Sequence, residues 1–255
     1  MKTYRVGVVG LGRMGSYIDD QQANRDLPYS IANSTLASQR LELAAGCDVL
    51  EERRNCFSER YSVPVYEKYT HMVKEEGLDI VAICTTSTGL QKPGNEAPTS
   101  EFRGDAHADL TVALAELNVP MLYVEKAVAC SMRRCDELRD AVKKNNTIFN
   151  SGVLRRFDVR YDPVREAVLN GEIGDVVAVV HYAASSLLHG HIHSIDTLSW
   201  LIGDPKIAQV RGELEPRNLV IDDNFIGHDP RATYELLFEN GDKHISAEEL
   251  FYEVK

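Results

Sequence analysis

The chain has no long hydrophobic run. None of its 255 residues form the unbroken apolar stretch of about 20 that a membrane-spanning helix needs, and the mean hydropathy is -0.27. Met1-Lys-Thr-Tyr-Arg-Val-Gly passes straight into a short apolar strand with no signal-type apolar core, so a cytoplasmic location is expected. Basic charge is also scarce. Against 39 Asp and Glu there are 28 Lys and Arg, giving a net charge of -11 and a pI near 5.2. The basic residues are scattered among acids rather than gathered in a stripe, which argues against nucleic acid as a partner. Paired cysteine motifs are absent. The five cysteines, at 47, 56, 84, 130 and 135, form no Cys-x-x-Cys and cannot all pair within one chain, so they are read as reduced. Cys47 and Cys84 end apolar runs, where a small buried thiol is the ordinary explanation.

What is present is enough for a sizeable core, with 44% hydrophobic residues, and the pattern changes near residue 150, predicting domains over 1–150 and 151–255. The first half alternates apolar runs (Arg5 to Val9, Leu41 to Cys47, Asp79 to Cys84, Met121 to Val124, Thr147 to Phe149) with helical stretches. The helices are expected from Met14 onward, over Glu51 to Tyr61, Tyr69 to Glu76, His107 to Asn118, and Met132 to Asn145 with Ser131 as N-cap. This alternation predicts an α/β, doubly wound parallel sheet covered on both faces. Thr86 to Gly104 holds three glycines and two prolines and reads as a long loop after a strand, bordering a site.

The second half has fewer helices and more strand-like runs, over Val176 to Tyr182, Ile207 to Leu214 and Thr233 to Phe238. Asp162-Pro163 is expected to start a helix as N-cap and first residue, Gly171 to end it, and Asn240-Gly241 to form a hairpin turn. A smaller α+β domain follows, its sheet small or completed by another subunit, since a half-built sheet leaves an exposed edge.

Gly10-Leu11-Gly12-Arg13-Met14-Gly15 follows the first strand and opens a helical stretch. In that context the pattern is the dinucleotide fingerprint of a Rossmann domain: Gly10 for the turn, Gly12 for close approach of a pyrophosphate, Gly15 for packing of helix on strand. Asp48, at the end of the second strand, is the expected ribose ligand and favours NAD over NADP, because it would repel a 2′-phosphate. Its separation from the glycines exceeds the usual spacing of roughly 20 residues, so Asp19 to Gln39 is read as a loop insertion. Arg53 and Arg54 are either solvated helix charges or a grip for a 2′-phosphate, which keeps NADP open.

Glu125-Lys126 follows the strand Met121 to Val124, placing Lys126 at a strand's C-terminal end near the expected nicotinamide. There it either polarises a substrate oxygen or is a solvated loop lysine. A second centre is Ser185-Ser186-Leu-Leu-His189-Gly190-His191-Ile192-His193-Ser194-Ile195-Asp196. With a helix starting near His189, residues His189, His193 and Asp196 share one face that could carry a general base. On a strand, His189, His191 and His193 would instead point one way as a metal tripod, and a structural role is the third reading. The helical reading is preferred, so no metal is expected.

Together these pieces resemble the family of glucose-fructose oxidoreductase, inositol dehydrogenase and rhizopine-catabolism proteins. The matching residues are the glycine motif, Thr85, Glu125-Lys126, Arg155-Arg156-Phe157-Asp158, Gly171-Glu-Ile-Gly174, and His193-Ser-Ile-Asp196 leading to Trp200-Leu-Ile-Gly203-Asp-Pro205. The resemblance implies a Rossmann domain followed by an open-faced mixed sheet that often pairs between subunits, hence a homo-oligomer. It also implies NAD(P)-dependent redox chemistry on a sugar, polyol or related small alcohol. In that reading Thr85, Glu125 and Lys126 border the cofactor, and Lys126 steadies the substrate oxygen. His193 is the acid-base group with His189 nearby, and Arg155, Arg156 and Asp196 lie on the substrate side, unless an arginine only pairs with Asp158 or Asp162. The sequence departs from the family at Ala127, where a proline is usual, at His189, where an aspartate is common, and in the length expected of its final sheet. Two other functions fit the same resemblance: an NAD-dependent glycosidase or lyase with transient redox, and a non-catalytic dinucleotide-binding relative.

Overall fold

The computed structural model describes residues 2–22, 27–85, 106–129, 131–182, 185–215, 217, 230–240 and 243–249. The chain divides into two compact units, one running to Gly152 and the other starting at Val153.

The first unit is built on a parallel sheet of six strands: β1 (Tyr4–Val9), β2 (Leu41–Cys47), β3 (Val65–Tyr66), β4 (Ile80–Ile83), β5 (Met121–Val124) and β6 (Ile148–Ser151). Their order across the sheet is β3-β2-β1-β4-β5-β6. The order therefore reverses between β1 and β4, the crevice where open α/β sheets bind ligands. Val6, Val8 and Val9 of β1 and Val81, Ala82 and Ile83 of β4 are buried on both faces, as expected of central strands covered by helices. The covering helices are α1 (Ile31–Ala37), α2 (Glu51–Tyr61), α3 (Tyr69–Glu76), α4 (Ala106–Glu116) and α5 (Met132–Lys144). Ser131 caps α5 by accepting the Arg134 N–H at 3.3 Å. The predicted loop over Thr86 to Gly104 lies outside the described residues.

Two features differ from expectation. Strand β3 was not anticipated; its two residues pair with Gly46 and Cys47, too short a run to show a period. The segment read as a loop insertion, Asp19 to Gln39, contains α1, and the helix expected from Met14 is a π-helical turn over Arg13–Tyr17 followed by a 3₁₀ turn over Ile18–Gln21. Asp19 organises this broken crossover. Its buried carboxylate accepts from the N–H groups of Tyr29 at 2.6 Å and Ser30 at 3.0 Å, and Ser30 in turn caps α1. Burial would raise the Asp19 carboxyl, but the hydrogen bonds from Ser30 and Tyr29 outweigh it and hold the group below its ordinary value. Asp19→Ala leaves two N–H groups without their acceptor and is expected to cost about 1–3 kcal/mol, read as a lower urea midpoint. Because the folded value is depressed, this stabilisation is present above the ordinary aspartate range and disappears as pH falls through the folded value. An unchanged midpoint at pH 7 would remove Asp19 from this role.

The second unit contains α6 (Asp162–Leu169), β7 (Ala178–His181), α7 (Ile192–Leu201), β8 (Ile207–Glu215), β9 (Arg231–Asn240) and β10 (Lys243–Glu249). Asp162 is the first helical residue of α6 rather than its cap, which is Tyr161. The sheet order is β7-β10-β9-β8, parallel between β7 and β10 and antiparallel elsewhere, so it is the mixed sheet expected. Among the described residues no helix is long and apolar enough to cross a membrane.

Candidate functional site

The glycine loop leaves β1 at the point where the sheet order reverses. Gly10 has φ +91°, a left-handed backbone that glycine adopts without strain. Its N–H donates to the Cys47 carbonyl at 2.8 Å. A Cβ on Gly10 would lie 2.6 Å from the Thr85 nitrogen, and one on Gly15 would overlap the Gly10 carbonyl oxygen. Turn, neighbouring strand and following helical turn are therefore packed backbone to backbone. At Gly12 a Cβ meets nothing nearer than the Arg53 guanidinium, at 3.4 Å. That glycine thus presents bare backbone beside a cation, which suits an incoming pyrophosphate.

Asp48 reaches this loop from the end of β2. Its carboxylate is 6% exposed and accepts from the Leu11 N–H at 2.8 Å and the Leu50 N–H at 2.9 Å. Arg53 pairs with it at 3.5 Å. Asp48 is thus first an anchor for the glycine loop, a role its sequence position did not suggest. Arg54 donates to the carbonyls of Asp48 at 2.8 Å and Val49 at 3.0 Å, so neither arginine is a freely solvated helix charge. Burial, with Asp48 next, pushes the Cys47 thiol up to about 12, and burial likewise raises Cys84. Both are protonated packing residues, as expected.

Beside the loop, the ends of β4 and β5 supply Thr85, Glu125 and Lys126. Glu125 is 4% exposed, and burial raises its carboxyl against the opposing pull of Tyr123 and Lys126. The Tyr123 hydroxyl donates to Glu125 Oε1 at 3.1 Å, and burial and Glu125 together push the phenol up. Gly152 covers this pair, since a Cβ there would be 2.5 Å from the Tyr123 hydroxyl and 2.9 Å from Glu125 Oε1. Lys126 is half-buried, and its peptide bond to Ala127 is cis. His107, in the first turn of α4 and fully buried, places Nδ1 2.7 Å from the Ala127 carbonyl oxygen and Nε2 2.9 Å from that of Thr85. Sequence reasoning missed Tyr123, Gly152 and His107. Only His107 left a signal, an imidazole at the start of a helix whose remaining residues are mostly apolar.

The second unit holds the histidine segment. It is helical, which removes the strand alternative for His189, His191 and His193. The helix begins earlier than expected, with a π-helical turn over Leu187–His191 leading into α7. A π turn is wider than an α turn, so the i, i+4 relation does not set His189 squarely over His193. His189 is exposed while His193 and Asp196 are half-buried. His191 is fully buried, its ring 5.7 Å from that of Tyr234. Asp196 accepts from Arg156 Nε at 2.9 and 3.0 Å and from Nη2 at 2.5 Å, and Arg156 reaches Asp204 at 3.1 Å. Arg156 thus pairs with Asp196 and Asp204, and not with Asp158 or Asp162, the partners named in the alternative to a substrate-side role. Arg160 takes Asp158 instead and holds its carboxyl at about 2. Arg155 is exposed. Lys126 belongs to the first unit and His193 to the second.

Known proteins bear on this geometry. The chain is 25% identical over 216 residues to inositol 2-dehydrogenase of Salmonella paratyphi B, covering 79% of this chain and 55% of that protein. It is 24% identical over 251 residues to scyllo-inositol 2-dehydrogenase (NAD(+)) of Bacillus subtilis, covering 93% and 64%. The chain thus spans little more than half the length of these relatives. The fold matches the crystal structure of myo-inositol 2-dehydrogenase from Lactobacillus plantarum with a TM-score of 0.68 at 19% identity, covering 99% of this chain and 71% of that one. Residues 4–153, more than half of the chain and including the whole six-stranded sheet, match the model of the oxidoreductase family with an NAD-binding Rossmann fold, and the chain belongs to that family.

Proposed function

We propose that the chain acts in an NAD(P)-dependent oxidoreductase that transfers hydride between a sugar, polyol or related small alcohol and nicotinamide, with NAD as the preferred cofactor. The observation that carries this reading is the convergence of the bare Gly12 backbone, Asp48, Thr85, Glu125 and Lys126 on the C-terminal edge of one parallel sheet, at its switch point. Gly10 to Gly15, including Leu11, Arg13 and Met14, hold the pyrophosphate, and Asp48 orients both the loop and the ribose. The bound nicotinamide supplies or accepts the hydride. Lys126 neutralises charge on the substrate oxygen as its proton leaves. His193 exchanges that proton, since imidazole titrates close to neutral pH. On the substrate side His189 is an exposed hydrogen-bonding group. Arg155 is the arginine available to substrate there, whereas Arg156 and Asp196 hold one another. The relatives' names favour a cyclic polyol over an acidic sugar.

The test is calorimetric titration with NAD, NADH, NADP and NADPH, followed by a turnover screen over inositols, other polyols and sugars. Tight binding of the NAD pair with turnover of a neutral polyol is expected, and no binding of any dinucleotide would refute the reading. Asp48→Ala sharpens it. Removal of the carboxylate releases Arg53 toward a 2′-phosphate, so NAD affinity is expected to drop by about tenfold or more, the scale of a lost charge-assisted hydrogen bond, while NADP affinity drops less. An unchanged NAD to NADP ratio would show that Asp48 does not read the ribose.

A further inference from the structure

His107 lies between two carbonyl oxygens. Nδ1 is 2.7 Å from Ala127 O and Nε2 is 2.9 Å from Thr85 O, and the ring is fully buried. A carbonyl oxygen only accepts, and a neutral imidazole carries a single N–H. With one proton, one contact would set a nitrogen lone pair against an oxygen lone pair at hydrogen-bond distance. Both contacts are attractive only when both nitrogens carry protons. We propose that His107 is a buried imidazolium and a positioning residue: its two N–H groups tie the end of β4 at Thr85 to the segment after β5 that carries Lys126, holding both borders of the dinucleotide site in one geometry.

Burial opposes a charge on the ring, as does the Lys126 ammonium on the neighbouring segment, so it is the two carbonyl contacts that must hold the second proton. Thr85 follows Cys84, and Ala127 follows Glu125 and Lys126. Glu125 is 4% exposed, and its carboxylate is an acid on the element that supplies one of the two carbonyls. On α4, Asp109 is ion-paired with Arg134 of α5. The two carbonyl dipoles aim their negative ends at the ring, and hydrogen bonds to the charged form favour that form. When the ring loses a proton, one contact turns repulsive and must open, releasing either Thr85 or the Lys126–Ala127 segment.

The effect on the cofactor rests on the dinucleotide reading above; the protonation state does not, so the two can fail separately. The direct test is nitrogen-15 NMR of the histidine-labelled, dinucleotide-free protein, with the His107 ring assigned by its loss in His107→Gln. If that variant does not fold, assignment proceeds by elimination through substitution of the other histidines. Both ring nitrogens are expected to show protonated shifts at pH 7.5. One unprotonated ring nitrogen there would overturn the proposal. The second readout is NADH affinity across the pH interval in which the NMR shows the ring to lose its proton. In the wild type it is expected to weaken about tenfold as the ring deprotonates, the scale of one lost charge-assisted hydrogen bond. In His107→Gln, whose amide has one donor end and one acceptor end, affinity is expected to be lower by a similar factor and flat with pH. A purely structural ring would predict parallel pH profiles for the two proteins, and that result would also overturn the positioning role.

Discussion

Lys126→Ala is expected to reduce kcat on the polyol that the screen identifies by about 10²–10³, while NADH affinity changes by less than about threefold. The split follows from position. Lys126 sits one residue beyond the buried Glu125 at the end of β5, past the loop proposed to take the pyrophosphate. Its charge is therefore worth most when the substrate oxygen becomes anionic and least when the cofactor merely binds. Removal of one preorganised donor to a developing oxyanion costs about 10²–10³ in rate, and a group that acts only in the transition state lowers kcat and kcat/KM together. His193→Ala is expected to lose about 10²–10⁴, the usual contribution of a general acid-base group, and to flatten the pH dependence of kcat. Steady-state kinetics with calorimetry on the same preparations separates the outcomes. Full activity in either variant removes that residue from the chemistry, and a Lys126→Ala protein that no longer binds NADH would reassign the lysine from reaction to cofactor binding.

The fold was legible wherever a residue pattern repeated. Helices α2 and α3 and strands β2 and β5 have the bounds their sequences predicted, because each is long enough, or bounded sharply enough by turn residues, for its period to show. β3 escaped because a two-residue strand has no period, and α1 because it stands inside a crossover whose continuity depends on the remote carboxylate of Asp19. At the candidate site, the positions of the glycines after β1 and of Lys126 after β5 were legible from local order, strand then glycine loop and strand then charge. What could not be read were contacts between residues distant in sequence. Nothing near Asp48 announces that it anchors Leu11, nothing near Arg156 selects Asp196 over Asp158, and nothing near His107 points to the carbonyls of Thr85 and Ala127. The Asp48 and His107 pairings are set by which strand ends meet at the switch point, a property of the sheet order, and the Arg156 pairing by the packing of the turn over Arg155–Phe157 against α7, and neither is a property of any local motif.

Gly15→Ala is expected to abolish measurable NADH binding, a loss of at least about 100-fold, and to destabilise the first unit by about 1–3 kcal/mol, the range for overpacking a close-packed site. The added methyl would overlap the Gly10 carbonyl oxygen and come within 3.3 Å of Val8 Cγ1. Neither neighbour can yield. Gly10 is fixed by its hydrogen bond to Cys47 and by its fit against the Thr85 nitrogen, and Val8 is completely buried in the central strand. The turn over Arg13–Tyr17 must therefore move away from β1, and it carries with it the backbone proposed to face the pyrophosphate. Gly77→Ala separates this effect from a general loss of stability. Gly77 has a positive φ, +56°, which Gly15 does not, but a Cβ there meets nothing within 4 Å, so alanine pays only the left-handed backbone cost of roughly 1–2 kcal/mol far from the loop. The two variants are thus expected to have similar urea midpoints, with NADH binding lost in the first and retained in the second. If Gly15→Ala binds NADH as the wild type does, the loop is not held by backbone packing against Gly10 and does not serve as the pyrophosphate cradle. If both variants lose binding in proportion to stability, the defect is one of folding rather than of the site.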